Sequence, residues 1–367
     1  MLAQRVADAT PHSRDRAVDA LRAFAILGVV LGHWLVTALV SRGQGALAVV
    51  SPLRSLPLLT PVTWLLQTLA VFFLVGGYTV ANAGAPYLPW LRRRLGRLAR
   101  PVPALLLAWV PLTLGLWAMG VTADSLRSIL KLVLSPLWFL GVYAALTALA
   151  PVFGFLWHRL GLWSVALPLA VTALVDVTRF ALAEPAGPAG PAGLGWINLV
   201  AGWSVPFLLG VGWARGAFTT RRLPVLMAVA GTAATLLLIR YASYPGSMVG
   251  VPGTPVSNLN PPTLAAVTFG IAQAGLALLL RGPLTRWLRR PRPWAAVALA
   301  NLSAMTVFLW HQTAMLLVTV GALTFGLLPG LHTVPDDPAW VAARLLWLPA
   351  FAAALTACWS LFHRYER

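Results

Sequence analysis

Two polar side chains share one apolar run near the start of the chain: Arg22 and His33, in Arg22-Ala-Phe-Ala-Ile-Leu-Gly-Val-Val-Leu-Gly-His33-Trp34. The arginine opens the run and the histidine lies near its middle. If the run crosses a membrane, a charged side chain at that depth costs roughly 2.5–3.5 kcal/mol, so an ionisable residue there is a functional hypothesis by default. Eleven positions at about 100° each return to nearly the same helix face, with a rise of about 16 Å. The two groups then line one path from the membrane surface to mid-depth. The plainer reading separates them, with Arg22 snorkelling to the surface and His33 hydrogen-bonding to a neighbouring helix.

Three further groups have the chemistry to join them. His311 lies in a second apolar run, Asn301-Leu-Ser303-Ala-Met-Thr-Val-Phe308-Leu-Trp310-His311-Gln312. It marks either a polar cavity or a structural hydrogen bond. Asp176 and Arg179 are three apart in another run, and an intrahelical ion pair explains them adequately; they could also hold a polar substrate. In Arg92-Arg93-Arg94-Leu95-Gly96-Arg97-Leu98-Ala99-Arg100, Arg94 and Arg97 fall on one helical face, as do Arg97 and Arg100. Guanidinium forks suit phosphate. Such a cluster serves as a topology signal, an anionic-lipid contact or a site for a phosphate-bearing acyl donor.

The elements that must carry these groups are membrane helices. Of 367 residues, 59% are hydrophobic and 10% charged, against about 25% charged in soluble domains. The mean hydropathy is +0.79. The net charge of +18 would suggest nucleic acid in a soluble chain, but here it sits between apolar runs and belongs to membrane topology. We read about ten spans, near 20–40, 62–82, 101–120, 135–152, 161–182, 197–214, 223–241, 262–280, 296–320 and 340–362. The fold class is therefore an all-α polytopic bundle. With an N-terminus inside, the basic residues fall on inside segments at every second loop. Only Arg42, Arg54, Arg127, Lys131, Arg179, Arg240 and Arg344 stand apart from the 27. Residues 1–17 read as a cytoplasmic tail, 18–363 as the integral domain and 364–367 as a second cytoplasmic tail. The location expected is the plasma membrane. Residues 184–195 and 242–262 read as outside loops, the second long enough to lie over a cavity mouth.

Several chemistries are missing. The one cysteine, Cys358, excludes an internal disulfide or a cysteine-based metal site, and Lys131 is the sole lysine. There is no Gly-rich phosphate loop, no Gly-x-Ser-x-Gly elbow and no His-Glu-x-x-His motif. No metal is expected.

Together these pieces resemble the acyltransferase-3 family of membrane O-acyltransferases. The resemblance starts at Arg16-Ala-Val-Asp19-Ala-Leu-Arg22 and reaches His33-Trp34. It continues through Val71-Phe72-Phe73-Leu74-Val75-Gly76-Gly77-Tyr78, the Arg94/Arg97 pair, Pro136-Leu137-Trp138-Phe139-Leu140, and Ser303 to His311-Gln312. Gly76 stands where the family commonly has serine. The resemblance implies a ten-helix enzyme moving an acyl group, often acetyl, from acyl-coenzyme A (acetyl-CoA foremost) to a hydroxyl. The acceptor implied is a carbohydrate, an envelope glycan or a glycosylated small molecule. His33 would be the catalytic residue and Arg22 would position the donor. Arg94 and Arg97 would engage it, flanked by Arg93 and Arg100. His311, Trp34, Asp176 and Arg179 would line the substrate cavity. The competing readings are a transporter or flippase for a polar or glycolipid substrate, and a non-catalytic membrane partner.

Overall fold

A computed structural model describes residues 2–11, 14–43, 46–83, 86–181, 191–251, 254 and 256–366. Ten helical segments among them are long and apolar enough to cross a membrane. They are Arg16–Val36, Pro57–Ala81, Tyr87–Ala118, Ala123–Ala148, Ala150–Phe180, Gly193–Ala214, Arg222–Tyr241, Leu264–Trp287, Ala304–Phe325 and Pro338–Glu366. The chain is an all-α multi-pass membrane protein. Helices are what hydrocarbon demands, because each backbone N–H and C=O must find its partner within the segment.

The count of ten agrees with the sequence reading, and several bounds move. The first helix stops at Val36, four residues early. Ala38–Ser41 instead forms a strand paired antiparallel with Leu47–Val50. The fourth span begins at the helix Ala123–Leu134, which Thr122 caps by accepting from the Ser125 N–H. This helix was hidden because Arg127 and Lys131 break its apolar run, while Ser125, Ile129 and Val133 bury one stripe. The ninth span starts at Ala304, with 291–302 forming a separate helix. Pro206 does not interrupt its helix, Ile197–Ala214. Most of the Pro/Gly-rich stretch at 184–195 lies outside the described residues; its end, Pro191–Trp196, is a 3-10 helix.

The chain divides into two compact units. The first comprises Met1–Gly28, Thr63–Tyr87 and Val142–Leu302. Its helices cross at glycines. A Cβ on Gly77 would overlap the Phe207 carbonyl, and one on Gly210 the Leu74 carbonyl. The helices Leu69–Ala81 and Ile197–Ala214 therefore pack backbone to backbone, the close approach that small residues permit in membranes. Gly231 and Gly275 do the same for Arg222–Tyr241 against Leu264–Trp287. Gly76 faces the Tyr143 ring, which accounts for a residue without a side chain there. Around these crossings Leu21, Val71, Leu74, Val205, Leu209 and Trp213 form a buried core.

The second unit comprises Val29–Val62, Leu88–Gly141 and Ser303–Arg367. Leu106, Leu107, Val110, Leu114 and Trp117 are exposed on its helix Pro101–Ala118. In water that would be a large apolar patch; in a bilayer it is the lipid face. Ala38 and Val40 of the hairpin bury against Trp340.

Candidate active site

His33 lies in the second unit, in the last turn of the helix Arg16–Val36. A helix end leaves carbonyls without intrahelical partners. Here the guanidinium of Arg344 takes one of them and the next carbonyl beyond the helix: Nε donates to the Trp34 carbonyl at 2.7 Å and Nη2 to that of Thr37 at 2.6 Å. Nη1 donates to the Gly330 carbonyl at 3.0 Å, and Nη2 also lies 3.1 Å from Met315 Sδ. The group stacks over Phe351 and Trp340, 4.6 and 5.7 Å from the ring centroids. A cation at a helix C-terminus is also favoured by the helix dipole.

His311 is carried by the helix Ala304–Gly321 in the same unit. The N-terminal end of this helix is held by Glu366, whose carboxylate accepts from the N–H groups of Met305 and Thr306 and from the Thr306 hydroxyl. The His33 and His311 rings are in contact, with centroids 5.1 Å apart and planes tilted by 41°. Trp34, itself buried against Phe351, donates its indole N–H to the His311 main-chain carbonyl at 2.9 Å. The Trp34 indole therefore ties together the backbones on which the two histidines stand, and Arg344 braces the end of the helix that carries His33. Trp34 was expected to line the cavity, and its N–H is taken up by this bond.

The two ring nitrogens of His311 are not equivalent. Nδ1 lies 2.6 Å from the Phe308 carbonyl. A carbonyl only accepts, so Nδ1 carries the hydrogen and the neutral ring presents its lone pair at Nε2. Nε2 is buried and has no hydrogen-bond partner. The next residue, Gln312, is also fully buried, with neither amide atom partnered. Buried polar atoms left unpaired cost about 1–3 kcal/mol each, so His311 Nε2 and the Gln312 amide carry unused hydrogen-bonding capacity side by side on one helix.

The other expected residues fall elsewhere. Arg22 stands on the part of its helix belonging to the first unit, half-buried and 3.6 Å from Asp19. Asp19 also accepts from Arg14 at 2.5 Å. Arg93, Arg94 and Arg97 lie on the amphipathic helix Tyr87–Ala99. Arg100 joins it to Pro101–Ala118. Arg93, Arg97 and Arg100 are exposed, and Arg94 is partly covered. Asp176 and Arg179 are paired at 3.1 Å and buried in the first unit. Asp176 also accepts from Asn198 at 3.1 Å, Tyr244 at 3.1 Å and the Leu264 N–H at 2.6 Å. Four donors on one carboxylate make a node joining two helices, a loop and the start of a third helix, rather than an open substrate contact.

In the sequence Arg344 is marked only as one of seven basic residues away from the inside loops, yet an arginine inside an apolar run is itself a signal. Among the described residues, no group of three or more His, Cys, Asp or Glu side chains could hold a metal ion.

The chain belongs to the acyltransferase-3 family: the family's profile, described as an acyltransferase domain, matches residues 15–363. No curated protein and no solved structure matches it.

Proposed function

We propose that this membrane acyltransferase moves an acyl group, acetyl foremost, from acyl-CoA to a hydroxyl of a glycan or glycosylated small molecule, with His33 as general base. The observation that carries the proposal is the ring contact between His33 and His311. It places two imidazoles together in a chain whose family transfers acyl groups. An alcohol is a weak nucleophile at neutral pH. A positioned imidazole that takes its proton in the transition state contributes typically 10²- to 10⁴-fold.

The step balances as follows. The hydroxyl proton passes to His33 as the alcohol oxygen attacks the thioester carbonyl carbon. The new C–O bond replaces the C–S bond, and the departing thiolate takes the proton from His33 to leave as coenzyme A. Coenzyme A carries its phosphates at one end and its thioester at the end of a long arm. Arg22 stands eleven positions before His33 on one helix, about 16 Å along the axis, and suits the donor side. Arg94 and Arg97, with Arg93 and Arg100 beside them, suit the phosphates. On this reading the protein sits in the plasma membrane with both termini cytoplasmic, as the basic loops favour.

The test is radiolabelled acetyl-CoA with purified protein and a panel of methyl glycosides. Labelled glycoside and free thiol should appear together with the wild type. His33→Ala, folded to the same melting point, should lose at least about 100-fold in kcat. A wild type that consumes no acetyl-CoA defeats the donor assignment. A His33→Ala protein with full turnover defeats the base assignment alone.

A further inference from the structure

A neutral imidazole acting as base turns a lone pair to the hydroxyl and has its N–H on the other ring nitrogen. In the familiar arrangement a third group orients the base by accepting that N–H, most often a carboxylate. The second unit contains four acidic residues, Asp124, Asp336, Asp337 and Glu366. Asp124 pairs with Arg127 at 3.1 Å. Asp337 caps its helix at the Trp340 N–H, Glu366 holds the start of 304–321, and Asp336 is exposed in a loop. Each is committed elsewhere or stands in solvent.

His311 offers what those carboxylates do not. Its ring touches that of His33. The Phe308 carbonyl fixes Nδ1 as the protonated nitrogen, and the lone pair on Nε2 is buried without a partner. The contrast with His332 of the same unit is informative. There both nitrogens are used, Nε2 on the Thr319 carbonyl at 2.6 Å and Nδ1 accepting from the Leu328 N–H at 3.1 Å. His332 is saturated; His311 is held by one side and left open on the other.

We propose that His311 is the positioning residue of the reaction: its Nε2, which carries no hydrogen bond in this structure, accepts the N–H of His33 when the acceptor hydroxyl binds on the far side of that ring, and so turns the basic nitrogen of His33 toward the hydroxyl. This rests on His33 being the general base. His311 gains and loses no proton over the cycle. When His33 takes the hydroxyl proton, His311 holds the other N–H of the imidazolium until the thiolate collects the transferred proton.

The experiment compares His311→Leu and His311→Phe, which delete the acceptor in two shapes, with His311→Gln, which returns an oxygen acceptor. Steady-state kinetics use acetyl-CoA and the methyl glycoside that the wild type acylates fastest. We expect both apolar variants to lose about 10–100-fold in kcat, at or below the typical 10²- to 10⁴-fold contribution of the general base that His311 orients. KM for both substrates should stay within about threefold, because His311 orients the base and binds neither substrate. His311→Gln should recover at least about fivefold in kcat over the apolar variants. An apolar variant with wild-type kcat overturns the proposal, and so does a Gln variant no faster than the apolar ones. A loss confined to KM overturns it as well. A wild type inert toward acetyl-CoA would instead defeat the parent reading, so the two failures are separable.

Discussion

The guanidinium of Arg344 donates to the main-chain carbonyl of Trp34, the residue that follows His33. A charge on one helix is thereby tied to the turn that carries the candidate base on another. Removing it would leave the Trp34, Thr37 and Gly330 carbonyls without this donor, each unmade bond costing about 1–3 kcal/mol. Arg344→Met should lower the melting point in detergent and cut turnover at least about tenfold where it remains folded. Arg344→Lys keeps the charge and three donors but not the planar fork, and should fall between. Thermal unfolding of the three proteins checks this; a Met variant that melts with the wild type would contradict the capping role.

The glycine crossings give a steric prediction with an internal control. Gly77→Ala and Gly210→Ala would each press a methyl group into a carbonyl oxygen of the facing helix. Overpacking of this kind costs typically about 1–3 kcal/mol. Gly141 has open space where a Cβ would stand, so Gly141→Ala should be neutral or slightly stabilising through its helix propensity. Melting points that rank the three equally would mean that the two helices are not in backbone contact.

These relationships differ in how far they can be read from sequence. The spans are legible because hydrocarbon imposes length and composition together. The hairpin at 38–41 and 47–50 is not, since Ala38-Leu39-Val40 simply prolongs an apolar run. His33 and His311 are legible one by one as polar residues in apolar runs. Their contact depends on how helices far apart in sequence pack, which one sequence does not encode locally. For Asp176, the spacing reveals Arg179 three positions on. It does not reveal Asn198, Tyr244 or the Leu264 N–H, which arrive from other elements. Arg344 is set apart in the sequence only as one of seven basic residues off the inside loops, and nothing local shows which carbonyls it reaches.

Tyr244 makes the Asp176 node sensitive to alkali. Burial, and then the Asp176 carboxylate beside it, pushes the phenol above its ordinary value. The folded protein therefore keeps the phenolic proton that the unfolded chain begins to release near pH ~10. The sign follows from linkage: this stabilisation is complete below that pH and is lost as pH rises further, through the folded value. Wild-type melting points should fall above about pH 10. Tyr244→Phe, lacking the 3.1 Å bond to Asp176, should be less stable at neutral pH by about 1–3 kcal/mol and lack this part of the alkaline decline. Parallel melting curves for the two proteins from pH 8 to 11 would exclude the phenol as the sensor.

The exposed arginines of the helix Tyr87–Ala99 allow the donor assignment to be tested apart from the chemistry. If Arg93 and Arg97 gather the phosphates of coenzyme A, they do so in a screened environment and at a distance from the thioester. Arg93→Gln and Arg97→Gln should then raise KM for acetyl-CoA about tenfold together, roughly 1.4 kcal/mol, while kcat stays unchanged, the sign of binding lost equally from ground and transition states. Raising ionic strength should weaken wild-type binding more than that of the double variant, because exposed charges are screened. S-acetylpantetheine carries the thioester without the nucleotide phosphates. Its KM should be indifferent to both substitutions and to salt. A variant that loses the two donors in equal measure would mean that these arginines serve the fold, and that the phosphates are held elsewhere.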